Sequence, residues 1–126
     1  LRNDGSANFT DNGSVTVGDV PINLISGDWN SDNQTDLAVV NHDNRRVSIL
    51  QNSSGVFSVS QTLSVSTHPI QIAGGDWDSD NDTDLAVLLR DNTLVQIWLN
   101  GGTGTFSKQT TTYTVGSLPM GMISGD

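Results

Sequence analysis

The sequence contains no cysteine and no glutamate. The first absence removes disulfides and leaves no thiolate for a zinc site. The second removes the residue that closes an EF-hand loop at its twelfth position. Basic residues are scarce as well: five Lys and Arg stand against fourteen acidic residues, all of them Asp, for a formal net charge of −9. A surface so poor in cations argues against nucleic acid and against an anionic membrane as partners. Aromatic residues make up only 6% of the 126 positions, and no apolar run approaches the length of a membrane span. Helical periodicity is missing throughout, which leaves strands and turns. The two histidines, His42 and His68, have no Ser, Cys or carboxylate at a spacing that suggests catalysis. With no nucleophile elbow either, the chain is expected not to be an enzyme.

What the sequence does have is one stretch written twice. Gly27-Asp28-Trp29-Asn30-Ser31-Asp32-Asn33-Gln34-Thr35-Asp36 returns as Gly75-Asp76-Trp77-Asp78-Ser79-Asp80-Asn81-Asp82-Thr83-Asp84, and Gly125-Asp126 begins it a third time. Eight of the fourteen Asp residues lie in the two complete copies, so the acidity is local. Oxygen-bearing side chains alternate: Asp28, Asn30, Asp32 and Asp36, then Asp76, Asp78, Asp80 and Asp84. A loop that curls on itself turns alternate residues toward one centre. Backbone carbonyls at Gln34 and Asp82 complete an all-oxygen set of the kind a hard cation requires. Calcium suits such a set better than zinc, since neither Cys nor His is present in the loops, and better than magnesium, which holds on to its water. Two calcium sites are therefore expected. A tight loop of this kind needs a residue at positive φ, and Asn33 and Asn81 stand where it falls. The alternative is an Asp- and Asn-rich solvated turn that binds nothing.

The repetition extends beyond the loops. Asp28 and Asp76 are 48 positions apart, as are Pro21 and Pro69, while Pro69 and Pro119 are 50 apart. Phe9, Phe57 and Phe106 recur in register. A period of about 40–50 residues rich in β-formers and turn residues matches a four-stranded propeller blade. The fold class is all-β, with about two and a half blades of four antiparallel strands. Residues 1–27 hold the end of one blade and the first strand of the next; 28–75 and 76–126 each begin with a calcium loop, the latter running on into a third blade. Strands are expected at 8–17, 20–27, 36–41, 46–51 and 56–65, then at 69–76, 84–90, 94–100 and 105–115, with another over 118–125. Asp43-Asn44 and Asp91-Asn92 supply hairpin turns. Because roughly four blades are needed to close a ring, the chain is expected to belong to a longer propeller or repeat array, or to pair with copies of itself.

Gly104-Thr105-Phe106, Tyr113, Val115-Gly116, Pro119, Gly125-Asp126 and the two loops, each continuing into Leu-Ala-Val, together resemble the FG-GAP/VCBS repeat family. The resemblance covers essentially the whole chain. It implies calcium-binding β-propellers, as in integrin α-subunit heads, certain lectins and bacterial surface proteins. In that family the loop usually has Gly at its sixth position and Asp at its third. Here Asn33 and Asn81 occupy the sixth and Asn30 the third of the first copy, so the first loop is expected to bind more weakly.

Trp29 and Trp77, at one repeat position, are expected to pack between blades, with sugar stacking as the alternative. Trp98 is expected in strand core and both histidines in structural places. Arg45-Arg46 is expected to be solvated at a hairpin tip, where it could meet an acidic partner. Five Asn-x-Ser/Thr sequons occur, at Asn8, Asn12, Asn33, Asn52 and Asn81. Asn33 and Asn81 are explained by the loops; Asn8, Asn12 and Asn52 are open to glycan in a eukaryote. The expected function is that of an extracellular or cell-surface calcium-binding module with a structural or adhesive role and a possible protein or glycan ligand. A lectin, or an accessory domain of a secreted enzyme, is the alternative.

Overall fold

Two apolar runs, 37–40 and 85–89, are bounded by Asp on one side and a polar turn on the other. Such runs suit strands covered on both faces. In the computed structural model, which describes residues 2–125, they form the second strands of two antiparallel sheets. The first sheet holds β3 (Pro21–Gly27), β4 (Asp36–Asn41), β5 (Arg46–Ser53) and β6 (Val56–Ser64), in that spatial order. The second repeats it with β7 (Pro69–Gly75), β8 (Asp84–Leu89), β9 (Leu94–Asn100) and β10 (Phe106–Thr114). Both sheets are open, and no helix occurs among the described residues. Among the described residues no helix is long and apolar enough to cross a membrane. A short hairpin of β1 (Arg2–Asn3) and β2 (Phe9–Thr10) precedes them.

The two sheets share the irregularity of their first strands. Pro21 and Pro69 open the first strands, where the missing N–H does least harm, and the register skips one residue directly after each. Leu37 pairs with Leu50 where Leu85 pairs with Trp98. The β4–β5 and β8–β9 turns each end on a left-handed residue, Arg45 at φ 54° and Thr93 at φ 52°. A β-branched residue is a genuine outlier there. Thr93→Gly is expected to raise stability by about 1 kcal/mol in a denaturant titration, because it removes that strain.

The main core lies between the sheets. Ala38, Val40, Val47, Ile49, Leu63 and Val65 of the first meet Ile72, Leu85, Val87, Leu89, Trp98 and Phe106 of the second. Trp98 is strand core, as its sequence position suggested. The first strands, β3 and β7, lie side by side. The last strands, β6 and β10, are joined by a side chain: the Gln61 amide accepts the Phe106 N–H at 2.8 Å and donates to the Phe106 carbonyl at 2.9 Å. A second cluster, Ala86, Leu88 and Val95 with Ile70, Ile97, Val115 and Met122, covers part of the far face of the second sheet.

Two expected strands are not formed as such. Of residues 8–17 only Phe9–Thr10 is strand, and 118–125 has none. In the repeat pattern, a last strand pairs with a third strand and a first strand with a second. Among the described residues β1 supplies only two residues as a third strand, and none supplies a second strand for 118–125. That segment nonetheless lies beside β7, as β7 lies beside β3. Gln71 accepts the Met122 N–H and donates to its carbonyl, both at 2.8 Å. The start of the third loop at Asp126 lies outside the described residues.

At the end of the sheets opposite the loops, His42 and His68 stack with ring centroids 4.8 Å apart and planes at 21°. Each Nδ1 is paired with a carboxylate, Asp43 at 2.6 Å and Asp91 at 2.5 Å. The hydrogen bond from His68 holds the Asp91 carboxyl below its usual range. Arg45 and Arg46 are exposed, and neither forms an ion pair among the described residues.

Candidate metal centre

Each acid-rich loop joins the first strand of its sheet to the second, β3 to β4 and β7 to β8. The turn is built by the first Asp. Asp28 accepts the Asp32 and Asn33 N–H groups, at 3.1 and 2.8 Å. Asp76 accepts those of Ser79, Asp80 and Asn81, at 2.8, 3.2 and 3.0 Å. Asn33 and Asn81 take positive φ, 62° and 69°, as the sequence suggested. Ser31 and Ser79 do so too, at 59° and 66°, which the sequence did not announce. Two left-handed residues two apart bring alternate side chains to one side of the turn.

The last Asp closes the loop from within the fold. Asp36 and Asp84 are fully buried. The carboxylate of Asp36 accepts the Trp29 N–H at 3.1 Å and the Asn52 N–H at 2.8 Å. Asp84 repeats this with Trp77 and Asn100, both at 2.9 Å. Each carboxylate therefore ties the start of its loop to the end of the third strand. Gly27 and Gly75 stand directly before the loops because the following Trp ring folds back over them. A Cβ on Gly27 would lie 2.4 Å from the Trp29 ring, and one on Gly75 2.9 Å from that of Trp77.

Asp76, Asp78 and Asp84 bring carboxylate oxygens within 4.8 Å of one another, the one such group of three among the described residues. Partial desolvation, and then the charges of Asp80 and Asp84, hold the Asp78 carboxyl above its ordinary range. Among the described residues no Lys or Arg pairs with any of these groups. An all-oxygen, uncompensated anionic set is the donor chemistry that suits a hard divalent cation. Asp80 and Asp82 flank it; the Asp80 carboxylate accepts the Asp82 N–H at 2.9 Å.

In the first loop, Asn30 occupies the place of Asp78, so the corresponding set has two carboxylates, Asp28 and Asp36. Asp32 is held by its neighbours: it accepts the Gln34 N–H at 2.8 Å, and its other oxygen takes the side-chain amides of Asn30 at 3.0 Å and Gln34 at 3.1 Å. Gln34 also reaches out of the loop, its Oε1 accepting the Ser54 N–H at 2.5 Å. Sequence reasoning placed these residues but missed the amide contacts.

The two tryptophans differ. Trp29 is 1% exposed and packs edge-to-face on Phe106, with centroids 6.0 Å apart. Its carbonyl accepts the Asn100 side-chain N–H at 2.8 Å. Trp77 is 43% exposed and lines an open groove of about 460 Å³ with Asp78, Ile97, Leu99, Gln109, Thr111 and Tyr113.

Tandem four-stranded antiparallel sheets, packed face to face and each with an acid-rich loop between its first two strands, define a β-propeller-type repeat. Residues 28–87, from the first loop into β8, match the family model described as an FG-GAP-like repeat. The match covers just under half of the chain and is consistent with an FG-GAP-like repeat family. No curated protein and no solved structure matches the chain.

Proposed function

We propose that the chain is an extracellular, calcium-stabilised β-propeller repeat module with a structural or adhesive role and no catalytic activity of its own. The observation that carries this is the cluster of Asp76, Asp78 and Asp84, three carboxylates drawn together with no Lys or Arg paired to them among the described residues. Calcium at this centre binds the folded loop and not the unfolded one, and so stabilises the fold by mass action. It fixes the strand-to-strand connection at the blade boundary. The candidate ligands are Asp76, Asp78, Asp80, Asp84 and the Asp82 carbonyl, and in the first loop Asp28, Asn30, Asp32, Asp36 and the Gln34 carbonyl. Recognition of a protein or glycan falls to the loops.

A thermal melt with calcium and with excess chelator tests this. At calcium a hundredfold above its dissociation constant, mass action supplies about 2.7 kcal/mol, several degrees in melting temperature for a chain of this size. Asp28→Ala and Asp76→Ala together are expected to abolish the rise. A folded chain whose melt ignores calcium would sink the proposal.

One observation favours a lectin as a second possibility. The groove beside Trp77 places two exposed aromatics, Trp77 and Tyr113, next to Asp78 and Gln109. Against it stands the internal comparison: the same face of the first sheet, with Trp29, is covered by the next sheet. Binding on a glycan array that is lost in Trp77→Ala would favour the lectin.

A further inference from the structure

The ligand positions of the two loops correspond one to one: Asp28 with Asp76, Asn30 with Asp78, Asp32 with Asp80, Gln34 with Asp82, Asp36 with Asp84. They differ at two places only, and both differences replace a carboxylate of the second loop by a carboxamide in the first. Those two carboxamides are the groups that donate to Asp32. Asn30 Nδ2 lies 3.0 Å and Gln34 Nε2 3.1 Å from the same oxygen, Asp32 Oδ2. Their orientations are fixed by chemistry, because a carboxylate oxygen attracts the amide N–H and repels the amide oxygen. Each amide is also secured at its other end. Asn30 Oδ1 accepts the Asp32 N–H at 3.3 Å, and Gln34 Oε1 accepts the Ser54 N–H of the β5–β6 turn at 2.5 Å.

The second loop has nothing comparable. Among the described residues no side-chain N–H donates to Asp76, Asp78, Asp80, Asp82 or Asp84. Three carboxylates with two side-chain amide donors face five carboxylates with none. We propose that the protein holds a divalent cation in the second loop alone, and that in the first loop the side-chain amides of Asn30 and Gln34 take the place of the cation. This rests on the calcium proposal above and narrows it from two sites to one. A cation entering the first loop would have to strip two amide hydrogen bonds from Asp32 and would meet one carboxylate fewer at the centre. In the second loop it relieves repulsion that no side-chain N–H among the described residues relieves.

Calorimetric titration of calcium into the chelator-stripped chain decides the matter. One binding event per chain is expected. Asn30→Asp with Gln34→Asp, which rewrites the first loop as the second, is expected to give two events and a lower melting temperature in chelator than the native chain, recovered by calcium. The reverse pair, Asp78→Asn with Asp82→Gln, is expected to weaken the native event at least tenfold and to raise the melting temperature in chelator. Two native events of similar affinity would overturn the one-site assignment while leaving the calcium module standing. A first-loop pair that still gives one event would overturn the role assigned to the Asn30 and Gln34 amides. No native event at all would overturn the calcium module itself, and the one-site assignment with it.

Discussion

Trp29→Ala is expected to cost about 3–5 kcal/mol, enough to leave a small domain largely unfolded. Trp77→Ala, the same substitution at the same repeat position, is expected to cost about 1–2 kcal/mol. The two rings follow equivalent glycines and begin equivalent loops. Their surroundings differ. Trp29 is enclosed between the sheets against Phe106, and its backbone carbonyl is held by Asn100. Removing its ring opens a void in the main core and loosens the seat of the Asn100 bond. Trp77 faces a groove with 43% of its surface in water, so truncation removes less buried area than at Trp29 and leaves no enclosed void. Urea unfolding of the two variants measures the difference directly. Equal costs would mean that the sheet-to-sheet core is not what holds Trp29.

The second large effect is expected at Asp84. Asp84→Ala leaves two N–H groups, of Trp77 and Asn100, without their acceptor. Asn100 N is bonded to the carboxylate in a buried setting. At about 1–3 kcal/mol for each unsatisfied buried donor, the cost is about 2–5 kcal/mol. Asp84 is also a candidate cation ligand, so the measurement belongs in excess chelator, where only the hydrogen bonds count. Asp80→Ala serves as the comparison. Its side chain is exposed and accepts one N–H, and in chelator the loss is expected to stay within about 0.5 kcal/mol. If the two variants were equally stable in chelator, Asp84 would be a cation ligand and nothing more. Asp36→Ala is expected to parallel Asp84→Ala, since it bonds Trp29 and Asn52 in the same way.

Much of this architecture could be read from the chain because it is written twice. The strands at 36–41 and 94–100 have the expected bounds, and the Asp43-Asn44 and Asp91-Asn92 turns sit where short polar breaks divide apolar runs. Positive φ at Asn33 and Asn81 followed from the tolerance of Asn for that region; at Ser31 and Ser79 it did not, because Ser carries no such signal. The contrast between Trp29 and Trp77 was hidden for a physical reason: closely similar neighbours in sequence specify similar turns, while burial depends on what packs across from them. The stacking of His42 on His68 was equally hidden, since nothing local ties residues in different connections. The strand expected over 8–17 shrank to two residues because alternation marks a willing strand but cannot supply its partner.

The Gln61 clasp on Phe106 has an angular consequence. On the inner side, β3 and β7 approach as strand against strand. On the outer side, β6 and β10 are kept apart by the length of a glutamine side chain, whose amide completes both main-chain bonds of Phe106. Two plates that touch along one edge and are propped open along the other form a wedge. The opening of that wedge is set by a side chain of fixed reach, and every further plate added in the same manner turns the stack by the same increment. The curvature of a longer array built on this pattern would thus be written in its outermost spacers, while the apolar surfaces between the sheets supply the adhesion.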